Sequence, residues 1–229
     1  MKSFWIPFSL FLIFLQIPFG PSEPEKTAEE ESPVKGWREV KYFAVPPNRY
    51  TSIGKGIIKV ESLGSRSSLF REVGERKKQT YLVSWRWKIS NVVRSAIETR
   101  KDRFDAAARL ILVFGGGPAI PMLQGTEPIG YKIEYIWASG LPIGKSFDHP
   151  DEKNCKVFVL ESGDKKAGQW VDEKREIDRD YKNAFGTAPK GLLAVGIQTD
   201  TDHSNESVTA YYSEPVLRTK PALPQKQPK

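Results

Sequence analysis

Between residues 55 and 217 the chain is cut into short runs rich in β-branched and aromatic residues, each closed by a turn signal. That rhythm, with few helical stretches, restricts it to an all-β architecture of the jelly-roll or β-sandwich type. The runs cover 55–62, 67–73, 80–89, 106–114, 131–138, 156–162, 168–174, 192–200 and 207–217. One short helix is expected over 177–185, where Ile177, Tyr181 and Phe185 recur four apart and Gly186 follows. It should cap one end or face of the sheets. Alternation within 81–89 puts Tyr81, Val83, Trp85, Trp87 and Ile89 on one face and Leu82, Ser84, Arg86 and Lys88 on the other. Large aromatics at a period of two read as core, the other reading being a paired-tryptophan platform for a sugar ring.

The ends set the organisation. Residues 1–20 carry one charge, Lys2, and an apolar run over 4–19 interrupted by Pro7 and Pro18. That is the layout of a secretory signal peptide, since a spanning helix needs roughly 20 uninterrupted apolar residues. Residues 21–35, rich in Glu, Pro and Ser, read as a flexible spacer, 36–219 as one β-sandwich domain, and 220–229 as a disordered basic, Pro-rich tail. Cys155 is the only cysteine, so no intramolecular disulfide can form. Together with the signal peptide this points to a periplasmic or secreted bacterial protein, monomeric, with no transmembrane segment after cleavage. Asn205-Glu206-Ser207 is formally a glycosylation sequon that matters only in a eukaryotic secretory route. The net charge of +7 is spread among acids, as in 72–78 and 172–182, which argues for a solvated surface and against a nucleic-acid partner.

Signatures of catalysis are sparse. There is no GxSxG elbow and no HExxH motif, and Gly115-Gly116-Gly117-Pro118 lacks the Lys and Ser or Thr of a phosphate loop. That triplet reads as a turn. His149 and His203 lie in polar loops and read as solvated, and Cys155 reads as an inert thiol at a strand edge.

Two constellations remain. The run 195–202 passes from apolar residues into Asp200 and Asp202, followed by Asn205, with Glu214 beyond the next strand. These four offer oxygen ligands for a structural Ca²⁺, which takes about 6–8 of them. An Asx-rich turn bonding its own backbone accounts for the same residues. The second constellation is a ligand cleft drawn from Arg86, Asp105, Arg109, Trp137, Glu161 and Trp170, because glycans are held by aromatic faces and planar polar side chains. Arg109 sits in an apolar strand, where a charge needs a partner, so Asp105 or Glu161 is its expected counter-ion. A buried structural ion pair explains Arg109 equally well.

Several short motifs occur in order: Ser84-Trp85-Arg86-Trp87-Lys88, Phe104-Asp105-Ala106-Ala107-Ala108-Arg109, Tyr135-Ile136-Trp137-Ala138, Glu161-Ser162-Gly163 with Gly168-Gln169-Trp170, Asp180-Tyr181 with Phe185-Gly186, and Thr199-Asp200-Thr201-Asp202. Together they resemble the bacterial domain-of-unknown-function family 3047 over about residues 54–212. The resemblance implies an exported protein with a galactose-binding-like β-sandwich, and no established activity. The chain departs from the family's usual pattern at His203-Ser204, where Asn-Thr is common, and at Ser213-Glu214, where Gly-Asp is common.

The function expected from all of this is an exported, non-catalytic binding domain for a polysaccharide or another cell-envelope ligand. One alternative is a carbohydrate-active hydrolase. Hydrolysis needs two carboxylates roughly 5–10 Å apart, and Glu161 with Asp105 or Asp200 would supply them. The other alternative is a structural or protein-interaction domain of the envelope.

Overall fold

A computed structural model describes residues 32–74, 80–116 and 126–219 of the chain. The expected signal peptide, residues 21–31 of the expected spacer, Gly117 and Pro118 of the glycine turn, and the basic tail lie outside them.

The described strands form two sheets. The larger joins β1 (Arg38–Lys41), β4 (Arg66–Glu72), β11 (Leu192–Asp200), β6 (Ala106–Phe114), β7 (Tyr131–Ala138), β9 (Cys155–Ser162) and β8 (Ser146–Asp148), in that order. The smaller runs β10 (Val171–Glu176), β5 (Thr80–Ile89), β12 (Ser207–Ser213), β3 (Ile57–Leu63) and β2 (Arg49–Ser52). A further strand, β13 (Val216–Thr219), shares one edge of β5 with β12. Every pairing is antiparallel except that of β7 with β9. The fold is therefore an all-β sandwich.

Strands β1, β2 and β8 had no counterpart in the sequence reading, because three or four residues are too few to display a period. Strand β10 begins at Val171 rather than at 168, since Gly168 turns at φ 78° and spends its N–H on Ile89 O at 2.8 Å.

The layer between the sheets is built by alternation. Val83, Trp85, Trp87 and Ile89 of β5 point inward with Ile133, Tyr135 and Trp137 of β7, and all are buried in one cluster. Trp87 meets Trp85 edge-on at 5.4 Å, Trp137 packs on Trp87 at 6.0 Å, and Tyr135 stacks on Trp85 at 5.5 Å. Each such pair adds roughly 0.5–1.5 kcal/mol beyond the area it buries. Trp85 and Trp87 are thus core and no sugar platform.

The single helix, α1 (Ile177–Phe185), matches the expected bounds. Ile177 and Tyr181 are buried, and Tyr181 packs edge-on against Phe114 at 4.8 Å, closing one end of the sandwich. The helix stops at Gly186, which adopts φ 74° and returns its N–H to Lys182 O, a left-handed closure that costs any other residue strain. Among the described residues no helix is long and apolar enough to cross a membrane.

Candidate functional site

Strand β6 is buried along its whole length, so its outward residues also need cover. Toward the smaller sheet it sends Leu110, Leu112 and Phe114, and toward the other side Arg109, Ile111 and Val113. On β7 the same alternation places Lys132, Glu134 and Ile136 on that outer side. Register then sets a polar row across three strands, with Ser68 opposite Gln198 and Gln198 opposite Arg109. Phe104, Phe147 and the loop carrying His149 cover one end of this outer face.

The result is a cleft of about 490 Å³ floored by Arg109, Glu134 and Gln198 and walled by Tyr42, Arg66, Phe104, His149 and His203. Arg109 is its anchor. Its guanidinium lies 3.1 Å from Asp200 and 3.6 Å from Glu134, donates to Phe104 O, and stacks over the Phe104 ring at 4.1 Å. Burial works against its charge, yet Asp200, Glu134 and Asp105 more than compensate and hold its pKa above the ordinary value. Burial lifts the carboxyl of Asp200 well above the usual range, opposed by Arg109 and reinforced by Asp202. Glu134 is raised by burial, with Arg109 and Lys132 pulling the other way.

The walls are tied as tightly. Gln198 donates to Ser68 Oγ at 2.7 Å and to Tyr42 Oη at 3.0 Å, while Tyr42 donates to Glu127. Arg66 lies over the Tyr42 ring at 4.2 Å and reaches Asp202 at 3.4 Å, so one wall is a guanidinium–aromatic stack. Lys132 pairs with Glu127 and with Glu152, the latter at 2.5 Å. Burial raises the pKa of Glu152 despite Lys132.

Both histidines of the chain line this cleft; His149, with a side chain only 11% exposed, corrects the expectation that it is solvated, whereas His203 stays exposed at the rim as expected. His149 Nδ1 accepts the backbone N–H groups of Asp151 at 3.1 Å and Glu152 at 2.9 Å, so the neutral ring carries its proton on Nε2, 4.0 Å from Glu134. Burial, reinforced by Arg109, lowers its pKa to about 4. His203 instead turns Nδ1 toward Asp105 and Asp202, at 3.1 and 2.7 Å.

The six residues expected to line a ligand cleft fall in three places. Arg109 stands in the cleft, and Asp105 lies against its rim through His203. Trp137 is fully buried between the sheets, with its indole N–H on Gly163 O at 3.0 Å. Glu161 also faces inward, because a register shift between Ile136 and Trp137 turns the end of β9 over, and it pairs with Lys166 at 2.6 Å. The ion-pair partners of Arg109 are therefore Asp200 and Glu134 on neighbouring strands, in place of the expected Asp105 or Glu161; the charge of Asp105 supports Arg109 without pairing with it directly. Arg86 and Trp170 occupy the outer face of the smaller sheet, 5.2 Å apart, beside Lys88 and Tyr211.

The four residues expected to hold Ca²⁺ do not converge. Asp200 is buried against Arg109, Asn205 presses its Oδ1 where a Cβ on Gly64 would meet it at 2.1 Å, and Glu214 pairs with Arg71 beyond the far end of β12. Guanidinium groups stand beside Asp200 and Asp202 where an oxygen shell for Ca²⁺ would have to form.

The residues the sequence reading passed over are Tyr42, Arg66, Glu134, His149, Glu152, Gln198 and His203. Glu134 carried a signal, since Lys132 and Glu134 alternate with apolar residues in a strand as apolar as β6. The loop histidines carried none.

The geometry defines a class, a β-sandwich with a charged, aromatic-walled cleft on the outer face of its larger sheet. The chain belongs to the family described as "Protein of unknown function (DUF3047)", matched over residues 35–216. No curated protein matches it. Among solved structures it is similar to the xyloglucanase domain of NopAA, a type three effector from Sinorhizobium fredii, in complex with cellobiose, at 10% identity and TM-score 0.46, covering 82% of this chain and 94% of that one. It is also similar to the family 11 carbohydrate-binding module from Clostridium thermocellum in complex with a β-1,3-1,4-mixed-linked tetrasaccharide, at 8% identity and TM-score 0.40, covering 83% and 92%. A third is the native family 12 xyloglucanase from Bacillus licheniformis, at 9% identity and TM-score 0.41, covering 81% and 88%.

Proposed function

We propose that this chain is an exported glycan-binding domain whose ligand, a polysaccharide of the cell envelope or its surroundings, lies in the cleft on the outer face of the larger sheet. One observation carries the reading: planar polar groups (Arg66, Arg109, Glu134, Gln198) and aromatic rings (Tyr42, Phe104) line one cleft, and most of them stand on paired strands. Hydroxyl-rich ligands are recognised by such planar donors and acceptors beside ring faces, and strands hold them with little entropy left to lose. Export rests on the charged start and apolar run of residues 1–20.

The test is calorimetric titration of the chain with a panel beginning with cellobiose and a β-1,3-1,4-mixed-linked tetrasaccharide. Saturable binding that weakens at least tenfold in Arg66→Ala and is unchanged in Trp170→Ala is the expected result. Binding abolished by Trp170→Ala alone would move the site to the smaller sheet, and no binding across the panel would remove the reading.

A second reading, hydrolysis, has its own observation. One oxygen each of Glu134 and Glu152, with a nitrogen of His149, lie within 4.8 Å of one another, and burial raises both carboxyls. Retaining glycosidases hold their two carboxyl groups about 5–5.5 Å apart. Reducing-end release from a bound glycan, lost in Glu134→Gln while affinity is kept, would establish it, and intact glycan after prolonged incubation would exclude it.

A further inference from the structure

The acidic loop after β11 meets the start of β6 at the end of the cleft that His203 lines. Asp105, fully buried, is held by two backbone N–H groups, Ser204 on Oδ2 at 2.8 Å and His203 on Oδ1 at 3.3 Å. The turn from Thr201 to Asn205, closed by Asn205 N–H on Thr201 O at 2.9 Å, folds Asp202 and His203 back onto it. His203 Nδ1 then stands 3.1 Å from Asp105 Oδ1 and 2.7 Å from Asp202 Oδ1.

One nitrogen holds one proton, and one proton bonds along one axis. Asp105 lies on that axis and takes the hydrogen bond. The nearer oxygen, Asp202 Oδ1, is buried without a hydrogen-bond partner, on a side chain only 10% exposed. That oxygen therefore keeps lone pairs open to a cation, which a single ring proton aimed at Asp105 does not serve. Arg66 reaches only the other oxygen of Asp202, at 3.4 Å.

We infer that Asp105, Asp202 and His203 form a binding site for a divalent transition-metal ion of the zinc class. Two carboxylate oxygens and one imidazole nitrogen suit Zn²⁺ and its neighbours, whereas Ca²⁺ takes oxygen ligands alone. Tetrahedral bonds of about 2.0–2.2 Å set donor atoms roughly 3.3–3.6 Å apart, so His203 Nδ1, 3.1 Å from Asp105 Oδ1 and 2.7 Å from Asp202 Oδ1, must draw back by a few tenths of an ångström from the first and by roughly 0.6–0.9 Å from the second, within reach of a side-chain rotation in an exposed turn. The backbone N–H groups on Asp105 act as the outer shell that aims the ligand. Three protein ligands leave one position on the ion for water or a ligand group, at a site adjoining the cleft. The ligand set shares only Asp202 with the Ca²⁺ site expected from the sequence, and it does not depend on the glycan reading.

Titration of the full chain, stripped with EDTA, with ZnCl₂ and separately with CaCl₂ tests the site. One equivalent of Zn²⁺ binds, at least tenfold more weakly in Asp202→Asn and in His203→Gln, and unchanged in Glu134→Gln, which alters the other histidine–carboxylate group of the cleft. Should the variants misfold, nitrogen-15 spectra of the unaltered chain keep the question open to decision: Zn²⁺ moves the Nδ1 resonance of His203 and leaves that of His149 in place. The inference falls if no stoichiometric Zn²⁺ binds, if binding ignores both substitutions, or if Ca²⁺ is preferred and His203 does not respond. The first of these outcomes is what a plain imidazolium between two carboxylates would give.

Discussion

The two faces of the larger sheet are written by the same strands, one residue out of step. On β6 and β7, Leu110, Leu112, Tyr135 and Trp137 face the smaller sheet and build an apolar interior. Their immediate neighbours Arg109 and Glu134 face the other way and build a buried ion-pair network. The inner face stabilises by area removed from water, which tolerates some imprecision. The outer face stabilises little in net terms, because desolvating two charges costs about what their attraction returns. What the network does is fix where the Arg109 guanidinium stands at the floor of the cleft.

Breaking the inner face should have the largest effect. Trp87→Ala removes a fully buried ring packed on two other tryptophans and should cost about 3–5 kcal/mol, read as a fall in denaturation midpoint. A loss under 1 kcal/mol would mean that the sheets slide together over the gap and that the aromatic layer is not close-packed.

The outer face should break differently. Arg109→Met keeps much of the volume and strands Asp200 and Glu134 without their shared cation, at a cost of about 3 kcal/mol near neutral pH. Both carboxyls already sit above their ordinary pKa in the folded state, and without Arg109 they rise further. A carboxyl with a raised folded pKa is harmless below its unfolded pKa and costs stability as pH rises through the folded one. The Arg109→Met deficit should therefore shrink as pH is lowered toward 5, whereas that of Trp87→Ala should not. Parallel pH profiles for the two variants would erase the distinction between the faces.

His149 sharpens the comparison from the cation side. Its folded pKa of about 4 lies below the unfolded value near 6.5, so the stability it contributes is present above pH 6.5 and is lost as pH falls toward 4. The side chain is 11% exposed, and with allowance for relaxation the loss is about 2 kcal/mol. His149→Gln should flatten that part of the profile. An unchanged slope between pH 6.5 and 4 would mean that the ring is already open to water.

Legibility followed the same divide. Where structure repeats locally the residues announced it: α1 showed its four-residue spacing and its Gly186 stop, and β5 showed its alternating tryptophans. Arg109 was legible as a charge that needed a partner, but its partners were not, because Asp200 and Glu134 are chosen by the register between strands far apart in sequence. Glu161 misled because one irregularity in β9 reverses which face it joins, and a single residue of slip leaves no mark on composition. His149 misled because a loop has no period, so nothing local says whether its side chain turns in, as this one does, or out, as that of His203 does.

Glu161 and its neighbour Glu173 supply the smallest effect, and the sign opposite to that of His149. Glu173, on the edge strand β10, is pushed up to about 7 by burial and by the charge of Glu161. Its carboxyl is neutral and costless below about pH 4.5, and the cost grows as pH rises to 7. The group is only partly buried, so solvent screening reduces the penalty to about 1 kcal/mol. Glu173→Gln should be more stable than the parent chain at pH 7.5 and indistinguishable from it at pH 4. Since the His149 term falls away on the acid side and the Glu173 term on the neutral side, the parent chain should be most stable between them, and each substitution should move that maximum toward the side it relieves. A maximum that stays put in both variants would mean that neither group feels the burial its surroundings impose, and that the inner and outer faces differ in polarity without differing in how they respond to protons.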